Sequence, residues 1–154
     1  MKIFASQWTP KIDEKGRVSI PAQFRKVFDA EGANEVAVMR NLNDLPCLDG
    51  MTPGRVEQMS ERILEDAATD PVAHSVLAMT VGETRFLSME ETGRVVMPKE
   101  LRDHAGLKGP TVLFLGLART FQIWDPDTYA EWRPKIFEMY RANAAAGRAK
   151  DAQG

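Results

Sequence analysis

Apolar and polar positions along the chain predict two similar stretches of short strands, joined and followed by helices. SQWTPKI (6–12) and TRFLSM (84–89) alternate as half-buried strands do. Each leads to a glycine, Gly16 or Gly93, where a tight hairpin turn is favoured because positive φ costs glycine little. RVSI (17–20) and RVVM (94–97) are the return strands. Pro21 and Pro98 follow at once and suit the first turn of a helix. Short helices are therefore predicted near 21–29 and 98–105, with Gly32 and Gly106 as C-terminal stops. Two more strands follow in each stretch, at 35–39 and 46–49 and at 111–116 and 120–124. Segment 52–69 places Val56, Met59, Ile63 and Leu64 on one helical face. Segment 70–82 reads as a helix capped by Asp70 with Pro71 at its first position. A last helix begins at Asp125 or Asp127, and Pro134 interrupts or restarts it. The small and polar residues 142–154 predict a frayed tail.

The two stretches are copies. DEKGRVSIP (13–21) and EETGRVVMP (90–98) share acidic-x-x-Gly-Arg-Val-x-x-Pro at an offset of 77 residues. The match continues, with Phe24 over Leu101, Arg25 over Arg102, and 35–39 over 112–116. The chain divides into a first unit at 7–51, linking helices at 52–82, a second unit at 83–126, and a C-terminal helix with a flexible tail at 127–154. A unit of about 45 residues, with four strands and one short helix, cannot bury much surface alone. The two copies are expected to pair around one barrel-like core with pseudo-twofold symmetry.

The composition is that of an ordinary globular protein: 154 residues, 44% hydrophobic, 27% charged. That excludes collagen, a disulfide scaffold and wholesale disorder. Cys47 is the single cysteine and reads as a buried strand residue. Neither His74 nor His104 has a metal-spaced partner, so no metal and no cofactor are expected. No apolar run has the length of a signal peptide or a membrane span, which points to a soluble cytoplasmic protein. The common nucleophile, zinc and nucleotide motifs are missing, and the acidic pairs Asp13-Glu14 and Glu90-Glu91 fall on turns. No catalytic residue is assigned and no enzyme is expected. Trp124, Trp132 and the methionines at 51, 59, 79, 89, 97 and 139 read as packing.

Asp13-Glu14-Lys15-Gly16-Arg17 with Pro21, and Glu90-Glu91-Thr92-Gly93-Arg94 with Pro98, resemble the SpoVT-AbrB motif D-x-x-G-R-x-x-x-P. Two such motifs with helices between, the stretch Leu101–Leu107, and Phe121–Asp125 are similar to the MraZ family over roughly residues 1–140. The resemblance implies an α+β, mainly β fold: tandem swapped-hairpin AbrB-like repeats paired into a pseudo-twofold barrel with flanking helices. It also implies a ring-shaped homo-oligomer and a transcriptional regulator that binds double-stranded promoter DNA. The promoter is that of the division and cell-wall gene cluster, which carries direct repeats. A place in the cytoplasm on the nucleoid follows, with no membrane partner. Glu90 replaces the usual Asp, and Thr92 stands where the first copy has Lys15, so the second copy is expected to bind less strongly.

The chemistry of the motif is compatible with that role. A β-ribbon fits a major groove, and Arg17 and Arg94 can each make a bidentate contact to guanine. Lys15 suits a phosphate, as do Lys11 and Arg25. The bland alternative is that Arg17 pairs with Asp13 and Arg94 with Glu90 only to hold the turn, while Arg25 sits on a solvated helix face. Gly16, Gly93, Pro21 and Pro98 shape the motif in either case. A competing function is a protein-interaction or scaffold ring that uses its acidic helices. The net charge of −2 does not decide between them, because its parts differ. Residues 11–26 carry a local +3, residues 42–91 a local −7, and residues 132–150 a local +4.

Overall fold

The computed structural model of the chain describes residues 2–67 and 70–153. Among them, eight strands and five α-helices are arranged in the order β1 (Gln7–Trp8), β2 (Arg17–Ser19), α1 (Ala22–Ala30), β3 (Glu35–Arg40), β4 (Leu48–Met51), α2 (Pro53–Ala67), α3 (Pro71–Met79), β5 (Arg85–Ser88), β6 (Arg94–Val96), α4 (Lys99–His104), β7 (Leu113–Leu117), β8 (Thr120–Trp124) and α5 (Pro126–Gln153). A 3-10 turn at Val81–Glu83 connects α3 to β5. Residues 68 and 69, the end of the helix predicted over 52–69, lie outside the described residues, as does Gly154 in the predicted tail.

The strands make an antiparallel six-stranded sheet, in the order β1-β7-β8-β4-β3-β5, and a separate two-stranded ribbon, β2-β6. This corrects the expected closed barrel. The sheet ends in β1 on one side and β5 on the other, and the ribbon closes onto neither. The predicted hairpins also differ. Strand β1 leaves its own unit to pair with β7, and β5 pairs with β3, so the strand entering each turn is engaged elsewhere. Across the first turn the isolated bridge Ile12–Val18 and the Asp13 N–H to Arg17 O bond at 3.2 Å remain, and β2 instead pairs with β6 in the other copy.

Both faces of the sheet are covered, which is why β3 is buried at four consecutive positions. On one face Val36, Val38, Leu48, Phe114, Phe121 and Ile123 meet α1 and α4 through Phe24, Val27, Phe28 and Leu101. Five phenylalanines, Phe4, Phe24, Phe28, Phe114 and Phe121, form the centre of this core, with ring centroids 4.9–6.4 Å apart in edge and tilted pairs. The alternate residues of the strands point the other way. Ala37, Met39 and Met51 pack on Val56 of α2, and Leu113 and Trp124 pack with Cys47 on Tyr129 of α5. Gly50 is required at the centre, because a Cβ there would collide with the ring of Phe121.

Local expectations and structure agree in several places. Asp70 caps α3 through the Val72 N–H at 2.9 Å, with Pro71 at the start. Gly32 and Gly106 adopt φ of 65° and 60° just after α1 and α4. Asp125 starts α5, its carboxylate accepting the Thr128 N–H at 3.2 Å. Other expectations fail for physical reasons. Pro21 and Pro98 stand at the cap position, one residue before their helices, because their ψ of 140° and 148° is extended. Cys47 is buried, but in a bend before β4. Leu64, Met79 and Met139 are exposed rather than packed. Helix α5 passes through Pro134 and continues to Gln153 where a frayed tail was expected. The proline forgoes one backbone hydrogen bond there, to the carbonyl of Ala130.

Candidate nucleic-acid interface

The ribbon places the two motif arginines on one surface. Its register pairs Arg17 with Val96, Val18 with Val95 and Ser19 with Arg94. Opposite residues of an antiparallel pair point the same way, and neighbours along a strand alternate. Val18 and Val95 therefore turn inward and are 1% exposed, while Arg17, Ser19, Arg94 and Val96 form the outer face. Arg17 and Arg94 are diagonal neighbours on that face, about 7–8 Å apart at the backbone. Val96 between them is half exposed.

Each arginine is oriented by the acid that opens its motif. Arg17 Nε meets Asp13 Oδ2 at 2.6 Å, and Arg94 Nε meets Glu90 Oε2 at 3.4 Å. The structural pair foreseen as an alternative is thus present. It occupies only Nε, and the terminal Nη groups of both arginines have no partner among the described residues. The pairs are more than two-fifths solvent-exposed, so their worth to stability is small, and their effect is to aim the guanidinium groups.

The two turns share a backbone frame and differ in one respect. In the first, Gly16 N–H donates to Asp13 O at 3.0 Å with φ of 86°. In the second, Gly93 N–H donates to Glu90 O at 2.8 Å with φ of 85°. Asp13 Oδ1 also accepts the N–H of Lys15 at 3.0 Å and of Arg17 at 2.9 Å. The Glu90 carboxylate accepts no turn N–H among the described residues, because its extra methylene carries it past them. The Asp13 carboxyl is held below its ordinary pKa of 3.8, first by the Arg17 N–H and then by the Arg17 side chain. The first turn is the more fixed of the two.

The remaining residues from the sequence fall into two groups. Lys15 is exposed at the tip of the first turn, and Lys11 is exposed on the segment entering it, bridged to Thr111. Arg25 is not on a solvated face. It is half-buried, and its Nη1 donates to the carbonyl of Thr92 in the second turn at 3.1 Å. Arg102, its counterpart at the repeat offset, was not singled out from sequence although the alignment of the copies exposes it. Its Nε donates to Met97 O at 3.0 Å and its Nη1 to Glu14 O at 3.1 Å. The outer face so assembled offers two forked cations, a hydroxyl and an apolar side chain on a two-stranded ribbon, with Lys15 exposed at the tip of the first turn. Such a set matches the donors, acceptors and thymine methyls of a major groove flanked by phosphates.

Residues 80–152 match the family model of the MraZ protein. The whole chain is similar to curated relatives that each bear the name transcriptional regulator MraZ. The relative from Parvibaculum lavamentivorans is 37% identical, over 100% of this chain and 99% of its own. That from Rhodospirillum rubrum is 36% identical, over 96% of this chain and 93% of its own. That from Gluconobacter oxydans is 34% identical, over 99% and 93%.

Proposed function

Since this chain belongs to the MraZ family, we propose that it is a transcriptional regulator that binds duplex DNA sequence-specifically through the β2-β6 ribbon. Its sites are direct repeats in the promoter of the division and cell-wall gene cluster, and its place is in the cytoplasm on the nucleoid. The observation that carries the reading is the shared outward face of Arg17 and Arg94, each aimed through Nε with its Nη groups unpaired among the described residues. Arg17 is the main base contact, because its turn is fixed by Asp13. Arg94 is the lesser one. Lys15 and Lys11 hold phosphates. The pairing of β1 with β7 and of β5 with β3 supports a swapped-hairpin origin for the two units. One ribbon makes few base contacts, so a ring-shaped homo-oligomer reading several repeats gains by effective concentration.

The test is footprinting and gel retardation on DNA from upstream of the protein's own gene. Wild type protects the repeats, Arg17→Ala loses protection at unchanged oligomer size, and Arg94→Ala weakens it. Affinity falls steeply with salt as phosphate contacts release counterions. Protection by Arg17→Ala equal to wild type overturns the assignment of the ribbon. Wild type that retains no DNA specifically, but recovers a protein partner, supports the scaffold reading instead.

A further inference from the structure

We infer that Arg25 and Arg102 are reciprocal positioning residues, the helix of each unit holding the arginine-bearing turn of the other. The inference rests on reading the ribbon as the DNA contact and adds a device that sets its geometry. Arg102 in α4 of the second unit spans two carbonyls, Met97 O of its own unit and Glu14 O of the first turn. Arg25 in α1 of the first unit reaches Thr92 O of the second turn. Two main-chain bonds run the same way across the repeat: Met97 N–H to Gly16 O at 2.7 Å and Ile20 N–H to Gly93 O at 2.9 Å. Each turn is thus held from the opposite unit by one backbone donor and one guanidinium.

The turn glycines are part of the device. Both have positive φ, and a Cβ on Gly93 would collide with the stem of Arg25. A Cβ on Gly16 would collide with the Met97 carbonyl and crowd Arg102 Nε. The holds are unequal. Arg102 makes two hydrogen bonds, whereas Arg25 makes one and leaves its Nε buried with no partner among the described residues. The stronger hold falls on the first turn, which carries Lys15 and is already fixed by Asp13. A planar fork with donors at fixed angles can bridge two carbonyls, and an ammonium cannot reproduce it. Arg25, foreseen as a phosphate contact, is assigned here to the second turn's shape.

The experiment compares Arg102→Lys and Arg102→Gln with wild type, and the same pair at Arg25. Two readouts are taken: affinity for the repeat DNA as a function of salt, and amide exchange of Lys15, Gly16, Arg17 and Gly93 without DNA. Positioning predicts that Arg102→Lys weakens specific binding about tenfold or more, as much as Arg102→Gln does. The salt slope stays that of wild type, because no phosphate contact is removed. Exchange at Lys15, Gly16 and Arg17 quickens while Val38 and Phe121 in the sheet remain protected, which separates a loosened turn from an unfolded chain. Arg25 variants quicken Gly93 and weaken binding less. If Arg102→Lys binds like wild type, and Arg102→Gln lowers the salt slope by about one, Arg102 is a phosphate contact and the inference fails. Unchanged exchange in all four variants also overturns it. If wild type binds no repeat DNA, the functional reading fails, and the exchange arm still decides whether the arginines hold the turns.

Discussion

Asp13 and Glu90 occupy the same place in the two copies, yet one methylene separates their work. The shorter carboxylate accepts two turn N–H groups as well as the arginine, and the longer accepts the arginine alone. The spacing from acid to arginine was legible in the sequence. The difference in reach was not, since it depends on where the carboxylate lands relative to the backbone. A pH effect follows. The folded pKa of Asp13 is lowered, so its contribution is complete above the ordinary value of 3.8 and is lost as pH falls through the folded value. Carboxyl titration by NMR should give a midpoint below 3.8 in wild type, moving back toward it in Arg17→Ala. A wild-type midpoint at or above 3.8 would contradict the hydrogen bonding described. Arg102 makes the complementary point. The repeat set it beneath Arg25, but only the folded chain brings its guanidinium to a turn 88 residues away.

Among the elements, α5 shows how burial divides one helix into two regimes. Its first turns pack Tyr129, Trp132 and Ile136 on Trp124 and Leu113. Beyond them Phe137, Met139 and Tyr140 are 39%, 51% and 73% exposed. Truncation after Arg141 should therefore change stability by less than about 0.5 kcal/mol, whereas Trp124→Ala should cost about 3–5 kcal/mol. Thermal and urea unfolding check both, and a large loss on truncation would mean that the distal helix is held by contacts not seen within one chain. Helix type and start were readable here from Asp125 and the pattern after it. Its continuation was not, because Pro134 marks an end by local rules while one lost hydrogen bond is a tolerable cost in a helix otherwise anchored. Likewise the turn glycines were readable, but the partner of each following strand was not.

At the scale of the molecule, four of the six strand seams among the described residues join the two copies or swap strands between them: β1 to β7, β2 to β6, β3 to β5 and β4 to β8. A fragment of residues 1–82 keeps only the seam of β3 with β4 from this set of pairings. It also loses Phe114 and Phe121 from the aromatic centre. The fragment should not fold as a cooperative monomer. Circular dichroism with light scattering tests this, and a folded monomer with a sharp transition would show that one unit carries its own core. The amino-acid sequence by itself determined the repeat, the turn glycines, the helix starts to within a residue, the inward and outward positions of most strands, and the basic character of the first motif. These depend on side-chain type and on neighbours a few residues away. Only the tertiary structure decided which strand lies beside which, that the sheet stays open, and that two helix arginines hold the turns of the opposite unit. Alternation says which face of a strand is buried, whereas the backbone groups that choose its neighbour are the same at nearly every residue. That choice is made by how two units, neither able to bury its surface alone, close over a shared set of phenylalanines.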